Sequence, residues 1–118
     1  MDKFSLTKYI MSEITFNTRQ EFKQFIQTNQ YVVVRVSATW CGPCKRIHKQ
    51  VAGFTRNLPS HVKRVFVDYD AHRDVAKGLR IKSVPTFILI IGGQPNICLV
   101  GSDITKVTNF YKGVASRV

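Results

Sequence analysis

The chain has 118 residues, 44% of them hydrophobic, which is enough for one domain with a buried core and too little for two. Lysine and arginine number 18 against 7 aspartates and glutamates, so the formal net charge of +11 favours acidic proteins or nucleic acid as partners. Three cysteines are too few for the disulfide framework of a small secreted domain, and we expect a reducing compartment.

Residues 1–12 mix charged and apolar side chains and lack the continuous apolar segment that a signal peptide needs. The longest apolar run, residues 87–91, is too short to cross a bilayer, so we expect no membrane association. We therefore predict an N-terminal extension over residues 1–12, one folded domain over residues 13–118, and a cytoplasmic location.

The first half of the domain alternates predicted strands and helices. Residues 13–16 alternate in polarity and predict a short edge strand. Thr18 followed by Glu21 is a capping-box pattern, which predicts a helix over about residues 18–28. The β-branched run over residues 32–36 is typical of a central strand that is buried on both faces.

Apolar residues recur at helical spacing after residue 44 and predict one long helix that ends at Pro59; they are Ile47, Val51, Phe54 and Leu58. A strand over residues 62–67 and a short helix near residues 75–79 follow. A strand, a helix and a second strand in this order indicate a right-handed crossover, so the sheet should be parallel at its centre.

The second half predicts an antiparallel hairpin, with strands over residues 86–91 and 96–100 and a connecting loop slightly longer than two residues. Cys98 lies in the second strand and is expected to be a small buried hydrophobe. Ser102 or Asp103 should cap a final helix. The whole order predicts an α/β fold, with a central mixed sheet flanked by helices on both faces.

The residues Trp40-Cys41-Gly42-Pro43-Cys44 lie between the central strand and the long helix. Two cysteines at this spacing can close a small disulfide ring in the first helical turn. Unpaired N–H groups and the helix dipole favour a thiolate at Cys41, so we predict Cys41 as the nucleophile and Cys44 as the resolving thiol. Pro43 suits a first helical turn, and Gly42 leaves the approach to Cys41 open.

Two other interpretations of the pattern remain open. His48 follows Cys44 by four residues, so Cys41, Cys44 and His48 could supply three zinc ligands, although no fourth lies near in sequence. The chain could also be a redox-independent basic docking module. Its charge is spread without a dense basic motif or an aromatic stacking platform, so nucleic acid is the less favoured partner.

The motif at residues 40–45, the segment at residues 83–87 and the glycines of the hairpin, Gly92, Gly93 and Gly101, resemble the thioredoxin family in order, spacing and element type. The resemblance covers the chain from about residue 13 onward. It implies a protein-disulfide reductase that needs no metal or cofactor, acts on disulfide-containing and possibly acidic proteins, and is recycled by a thioredoxin reductase or an equivalent donor. A disulfide oxidase or isomerase of the same fold is the alternative, against which the Gly-Pro pair and the absent signal peptide argue.

The resemblance also implies roles for individual residues. Pro85 would follow a cis peptide bond and face the cysteine pair, which leaves the backbone of Val84 free to pair with a substrate chain. The implied docking surface around Cys41 consists of Trp40, Tyr69, Ser83, Val84 and Gly101. Residues that would modulate the dithiol are Gly42, Pro43, Pro85 and Arg35.

Three positions depart from the family pattern. Arg35 stands where most members have a buried aspartate that assists the resolving thiol; arginine cannot accept a proton, and its charge needs a partner, for which Asp68 is the candidate. Lys49 replaces a helix-kinking proline, so the long helix should run straighter. Arg46 replaces an apolar residue, and with Lys45 it should speed association with acidic partners.

Overall fold

The computed structural model describes residues 13–118, which form a five-stranded sheet in the order β1-β3-β2-β4-β5. The strands are β1 Glu13–Ile14, β2 Tyr31–Ser37, β3 Lys63–Asp68, β4 Thr86–Ile91 and β5 Gln94–Val100. The pairs β1/β3 and β3/β2 are parallel, while β2/β4 and β4/β5 are antiparallel. The predicted mixed sheet with a parallel centre is confirmed. The extension predicted over residues 1–12 lies outside the described residues.

Five helices connect the strands and cover both faces of the sheet. They are α1 Arg19–Thr28, α2 Gly42–Arg46, α3 His48–Arg56, α4 Arg73–Gly78 and α5 Ile104–Arg117. Helices α1 and α4 pack on one face, whereas α3 and α5 pack on the other. The predicted α/β fold is therefore confirmed. Within residues 13–118 no helix has the length and apolar content needed to span a membrane.

Side-chain caps define where the first and last helices begin. The hydroxyl of Thr18 accepts a hydrogen bond from the backbone N–H of Glu21 at 3.2 Å and donates one to the Glu21 carboxylate at 3.0 Å. Asp103 accepts hydrogen bonds from the backbone N–H groups of Thr105 and Lys106. Each cap satisfies N–H groups that have no partner within the helix, so both predicted starts are confirmed, with Asp103 rather than Ser102 at the second.

The face under α1 and α4 is built mainly from apolar side chains, and we call it the apolar face. Alternate residues of the three central strands point into it because successive side chains of a strand point to opposite sides. Phe22 of α1 and Val75 of α4 cover them. The buried strand residues of this face are Val32, Val34, Val36, Val65, Val67, Ile88 and Ile90.

The face under α3 and α5 contains polar groups within an apolar core, and we call it the mixed face. Thr55 of α3 and Tyr111 of α5 are both buried, and their hydroxyls are hydrogen-bonded at 3.2 Å. Burial raises the pKa of the Tyr111 phenol to about 12, although the Thr55 hydrogen bond acts in the opposite direction. Arg35 of β2 and Arg64 of β3 point to the same face.

Arg64, which points to the mixed face, caps the C-terminal end of α3 with side-chain hydrogen bonds. Its guanidinium donates to the carbonyl oxygens of Thr55 at 2.9 Å and Val62 at 2.6 Å, and to those of Leu58 and Pro59. These carbonyls belong to the last turn of α3 and the loop after it, where backbone acceptors lack helical partners. Burial lowers the pKa of Arg64, while the Glu13 carboxylate acts against that shift.

The prediction of one long helix after residue 44 is wrong in one respect, because the observed helix is interrupted at Ile47. That residue has φ −103° and ψ 4°, and it separates α2 from α3. Cys44 and Ile47 are both buried. The helix is thus interrupted although position 49 holds a lysine and not a proline, so the lysine does not make the helix straight.

The hairpin loop is shorter than predicted. Gly92 and Gly93 form a two-residue turn with φ values of 58° and 80°, and Ile91 pairs directly with Gln94. Positive φ at both positions is the geometry of the tight turn that best fits twisted strands, and it favours glycine. The strand β5 has one extra residue in this hairpin, which a register shift accommodates. The shift lies next to Ile90, which pairs with Pro95 of the edge strand.

Cys98 is exposed, so its predicted burial is wrong. It lies on the edge strand β5 between Ile97 and Leu99, which both pack against the core of the mixed face. Because side chains alternate along a strand, Cys98 points to the opposite side, where it reaches solvent. An apolar run at the edge of a sheet therefore does not bury both of its faces.

Candidate functional site

Cys41 and Cys44 follow the C-terminal end of β2 and are joined by a disulfide, with their Cα atoms 5.3 Å apart. Cys41 is the N-cap of α2, and its Sγ accepts a hydrogen bond from the backbone N–H of Cys44 at 3.1 Å. Pro43 lies in the first turn of α2, where its missing N–H costs no helical hydrogen bond. The predicted turn from strand to helix is confirmed.

Exposure does not distinguish the two cysteines, since Cys41 is 3% and Cys44 is 7% exposed. Their positions do distinguish them. Cys41 occupies the cap, where helix N–H groups point at its sulfur, whereas Cys44 is inside the first turn and lines a cavity below it. Gly42 between them is exposed, and a side chain added there would meet open space. The surface beside Cys41 is therefore accessible.

The segment before β4 lies against the cysteine pair. The Val84–Pro85 peptide bond is cis, as the family resemblance implies. Val84 and Tyr69 pack against the cluster formed by Ala38 and the two cysteines. Two of the expected docking residues thus contact the reactive cluster directly.

Ser83 and Gly101, two further residues of the expected docking surface, lie in or next to the segment before β4. Thr86 donates a hydrogen bond to the carbonyl of Ser83 at 2.7 Å, and Ser83 itself is exposed. The N–H of Gly101 donates to the carbonyl of Pro85 at 2.9 Å, which ties β5 to the turn. Gly101 has a φ of 121°, a conformation that favours glycine. Its contact is with Pro85 rather than with the cysteines.

Trp40 is 64% exposed, and its indole is held by one polar contact. The Nε1–H donates to the carboxylate of Asp70 at 2.7 Å, and Arg73 approaches the same carboxylate at 3.8 Å. The Arg73 guanidinium also lies over the Tyr69 ring, 5.5 Å from its centroid. Asp70 was not identified as a site residue from the sequence. The sequence could have indicated this contact, because β2 and β3 are parallel and the residues that follow the two strands, Trp40 and Asp70 among them, meet at one edge of the sheet.

Arg35 lies on the mixed face beneath Cys44, and its partner is Glu13 rather than Asp68. The guanidinium donates to the two oxygens of the Glu13 carboxylate, from Nε at 3.1 Å and from Nη2 at 2.8 Å. It also lies over the Phe66 ring, 4.5 Å from the centroid. The positive charge that Arg35 brings to this position is thus compensated by an ion pair with two hydrogen bonds.

The expected Arg35–Asp68 pair is wrong for a reason of register. Phe66 is the residue of β3 opposite Arg35, while Asp68 is opposite Ser37 at the strand end. The Asp68 carboxylate accepts hydrogen bonds from the backbone N–H groups of Asp70 and Ala71, which close the following turn. The long arginine side chain reaches across Phe66 to β1, where Glu13 is the available acid.

A cavity of about 10 Å³ lies beneath Cys44, which is room for about one water molecule. Arg35, Ser37 and His48 line it together with Cys44. A wider depression of about 190 Å³ adjoins this group and is lined by Ser37, Cys44, Lys45 and His48. The resolving cysteine therefore faces a space that contains polar side chains beside apolar ones, and not a wholly apolar core.

The zinc alternative finds no support in the part of the chain from residue 13 onward. No group of three or more His, Cys, Asp or Glu side chains there is arranged to hold a metal ion. His48 is exposed, and the two cysteines are bonded to each other.

Comparison with known proteins gives one consistent family. The family model described as Thioredoxin matches residues 13–112. Thioredoxin-2 of Pyricularia oryzae is 32% identical over 104 residues, covering 88% of this chain and 60% of that protein. The Bifunctional thioredoxin reductase/thioredoxin of Mycobacterium leprae is 36% identical over 84 residues, covering 69% of this chain and 18% of that protein. This chain thus spans less than two thirds of the length of either relative.

A solved structure shows the same similarity in three dimensions. Mitochondrial thioredoxin 3 from Saccharomyces cerevisiae, in its oxidised form, superposes with a TM-score of 0.76 at 30% identity. The match covers 89% of this chain and 98% of that one. From the matched sequence, the shared fold and the close cysteine pair of its Trp-Cys-Gly-Pro-Cys motif, this chain belongs to the thioredoxin family of thiol–disulfide oxidoreductases.

Proposed function

We propose that this protein reduces disulfide bonds in other proteins, with Cys41 attacking and Cys44 resolving. The observation that carries the assignment is the position of Cys41 as the cap of α2, where its sulfur accepts the Cys44 N–H at 3.1 Å. A hydrogen bond and a helix N-terminus both favour a thiolate over a thiol, and the thiolate is the reactive form.

The reaction proceeds in two exchange steps. The Cys41 thiolate attacks one sulfur of the substrate disulfide, the substrate S–S bond breaks, and a mixed disulfide forms while the second substrate sulfur leaves as a thiolate. Cys44 then loses its proton and attacks Cys41. The Cys41–Cys44 bond forms, the mixed disulfide breaks, and the second substrate thiolate is released. Two electrons have moved from the protein to the substrate.

The surface proposed for substrate docking surrounds Cys41. Val84 and Tyr69 already pack against the cysteines, so an extended substrate segment that pairs with the backbone of Val84 would bring its disulfide beside Cys41. Trp40, Ser83 and Gly101 complete the surface. Gly42, Pro43 and Pro85 shape the turn without taking part in bond exchange.

We propose further that preferred substrates have acidic rims. Lys45 and Arg46 are exposed in the last turn of α2, directly beside the dithiol, and the chain as a whole carries a formal charge of +11. Such a field raises the association rate of acidic partners and is weakened by salt. An acidic substrate should therefore lose more of its rate than a neutral one when ionic strength rises.

The electron donor in this proposal is a thioredoxin reductase or an equivalent protein. The Mycobacterium leprae relative, whose name states both activities, supports a partnership of this kind. We propose a cytoplasmic location because a dithiol that reduces other proteins needs a reducing compartment. The yeast relative is mitochondrial, so localisation of the tagged full chain is the deciding measurement.

Insulin reduction tests the proposed activity. With dithiothreitol as the reductant, the wild-type protein should accelerate the precipitation of insulin chains, and Cys41→Ser should abolish the acceleration. Cys44→Ser should accumulate a mixed disulfide with substrate, visible by mass. Cys98→Ser is the matched control, since this exposed thiol lies on the edge strand β5. Full activity in Cys41→Ser would overturn the proposal.

A further inference from the structure

The resolving step needs a proton acceptor for Cys44, and the usual position for one holds an arginine. Arg35 cannot accept a proton at usable pH, and its guanidinium donates from Nε and Nη2 to the Glu13 carboxylate. Asp68, which the sequence offered as a partner for Arg35, accepts hydrogen bonds from the turn after β3. The thiol of Cys44 therefore lacks the carboxylate that the family pattern places beneath it.

His48 shares both spaces next to Cys44. It lines the cavity of about 10 Å³ and also the wider depression of about 190 Å³, and Cys44 lines both as well. The first space has the volume of about one water molecule, and Arg35, Ser37 and His48 give it polar groups on one side while Ile47, Val51, Pro85 and Phe87 line the rest, so a water there would have polar partners. A proton can thus pass from the thiol to the imidazole through one water, with the wider depression open to solvent behind it.

The other charged and polar groups that face this space do not compete for the proton. Lys45 from α2 and Arg35 from β2 are cationic side chains, and Ser37 carries a weakly basic hydroxyl. The elements packed from the other side contribute Pro85 and Phe87, which do not titrate. Glu13 neutralises Arg35, so an imidazolium can form here without the repulsion of a free guanidinium.

We propose that His48 accepts the proton of the Cys44 thiol, through a water in the cavity beneath Cys44, during the resolving step. Cys44 becomes a thiolate, attacks Cys41 and closes the disulfide. The imidazolium then gives this proton to the departing substrate thiolate, directly or through solvent water, which returns His48 to its neutral form. Histidine suits this role because a neutral imidazole has one ring nitrogen that can accept a proton. The inference rests on the order of attack proposed above.

Stopped-flow reaction of the reduced protein with dithiobis(nitrobenzoate) separates the two steps when every variant also carries Cys98→Ser, because the exposed Cys98 thiol would otherwise react as well. Attack by Cys41 releases one coloured thiolate and resolution by Cys44 releases the second. We expect His48→Gln to leave the first phase unchanged and to slow the second roughly tenfold near neutral pH. The second phase should also lose the part of its pH dependence between about pH 5 and 8. Added imidazole should restore the second phase of His48→Ala.

His61→Gln is the matched control, because His61 is also exposed but packs against Tyr31 at the opposite end of the sheet. It should leave both phases unchanged. A second phase in His48→Gln with the wild-type rate and pH profile would overturn the inference. So would a slower second phase whose pH profile keeps its shape and which imidazole does not restore, since that outcome marks a structural role. Absence of the first phase in the wild-type protein would instead overturn the proposed function.

Discussion

The two faces of the sheet differ in what they bury. The apolar face contains valine and isoleucine from β2, β3 and β4 and no charged group, so its side chains contribute through burial alone. The mixed face includes the Arg35–Glu13 ion pair, the Arg64 guanidinium and the Thr55–Tyr111 hydrogen bond. The cavity beneath Cys44 lies on the mixed face. Both faces belong to the same strands, and they differ in the alternate strand residues that point to each side, in the covering helices and in the edge strand β1.

The difference between the two faces predicts that stability and dithiol chemistry respond to changes in different places. A change on the apolar face should alter the free energy of unfolding and leave the dithiol as it is. A change on the mixed face should alter both, because uncompensated charge near a sulfur shifts the balance between thiol and thiolate. The following predictions test this separation, from the largest expected effect to the smallest.

Ile90→Ala should be the most destabilising of the four changes. Ile90 is 1% exposed on the apolar face, and its truncation leaves a cavity that costs about 2–5 kcal/mol. Urea unfolding of the oxidised protein measures the loss. Insulin reduction per folded molecule should stay at the wild-type rate.

Ile90→Val is the graded control and should cost about 0.5–1.5 kcal/mol. If Ile90→Ala changed the reduction potential of the dithiol while the protein was still folded, the two faces would not be independent.

Glu13→Gln should affect both stability and chemistry. It leaves the Arg35 charge without its anion, and the Arg35 side chain is only 15% exposed. We expect a loss of about 1–3 kcal/mol, less than for a fully buried pair because water reaches part of the site. The freed positive charge should favour the Cys44 thiolate and so raise the reduction potential, measured against glutathione.

The double variant Glu13→Gln, Arg35→Leu should recover much of the stability, since no unpaired charge is left. Glu21→Gln removes an equal charge at the exposed start of α1 and should leave the potential unchanged. An unchanged potential in Glu13→Gln would show that Arg35 does not act on the dithiol.

Tyr111→Phe should cost about 1 kcal/mol near neutral pH, because it removes the hydrogen bond with Thr55. Burial raises the pKa of Tyr111 to about 12, above the ordinary value near 10. The folded state therefore holds the phenol proton more tightly, and this contribution is complete below pH 10 and is lost as pH rises toward 12. The wild-type advantage over Tyr111→Phe should shrink across that interval in urea unfolding.

Thr55→Val separates the two causes. It removes the hydrogen bond but keeps the buried phenol, so its alkaline loss of stability should persist. A wild-type advantage that stayed constant from pH 9 to 12 would contradict the raised pKa.

Asp74→Asn should have the smallest effect. The backbone N–H of Arg19 and then its side chain donate hydrogen bonds to Asp74, and these bonds lower the pKa of the carboxyl. The pair is exposed and joins α1 to α4 outside the apolar face. Since the folded pKa is below the unfolded one, the contribution is present above the ordinary aspartate range and is lost as pH falls through the lowered value. Thermal unfolding at pH 7 and at acidic pH should show the difference only at pH 7.

Arg19→Gln keeps the backbone hydrogen bond, which is the main cause of the shift. It should therefore be milder than Asp74→Asn. Equal losses would assign the effect to the side-chain ion pair instead.

Local features of the sequence were enough for most of the fold and for the reactive pair. The Thr18 cap, the β-branched run of β2 and the two glycines of the hairpin act over neighbouring residues, so their effects can be predicted without knowing the rest of the chain. The cysteine spacing in the first helical turn is of the same kind. These features determined the element order, the mixed sheet and the place of Cys41 and Cys44.

Contacts between distant segments were decided only by the tertiary structure. Glu13 neutralises Arg35 across an intervening strand, and Asp70 holds Trp40 from the neighbouring strand end. Cys98 is exposed because β5 is an edge strand, and α2 separates from α3 at Ile47 although α3 contains no proline. Hydrophobic periodicity shows which residues share a face but not what covers that face or which charge lies opposite. That information depends on strand register and order, which arise only when the whole chain packs.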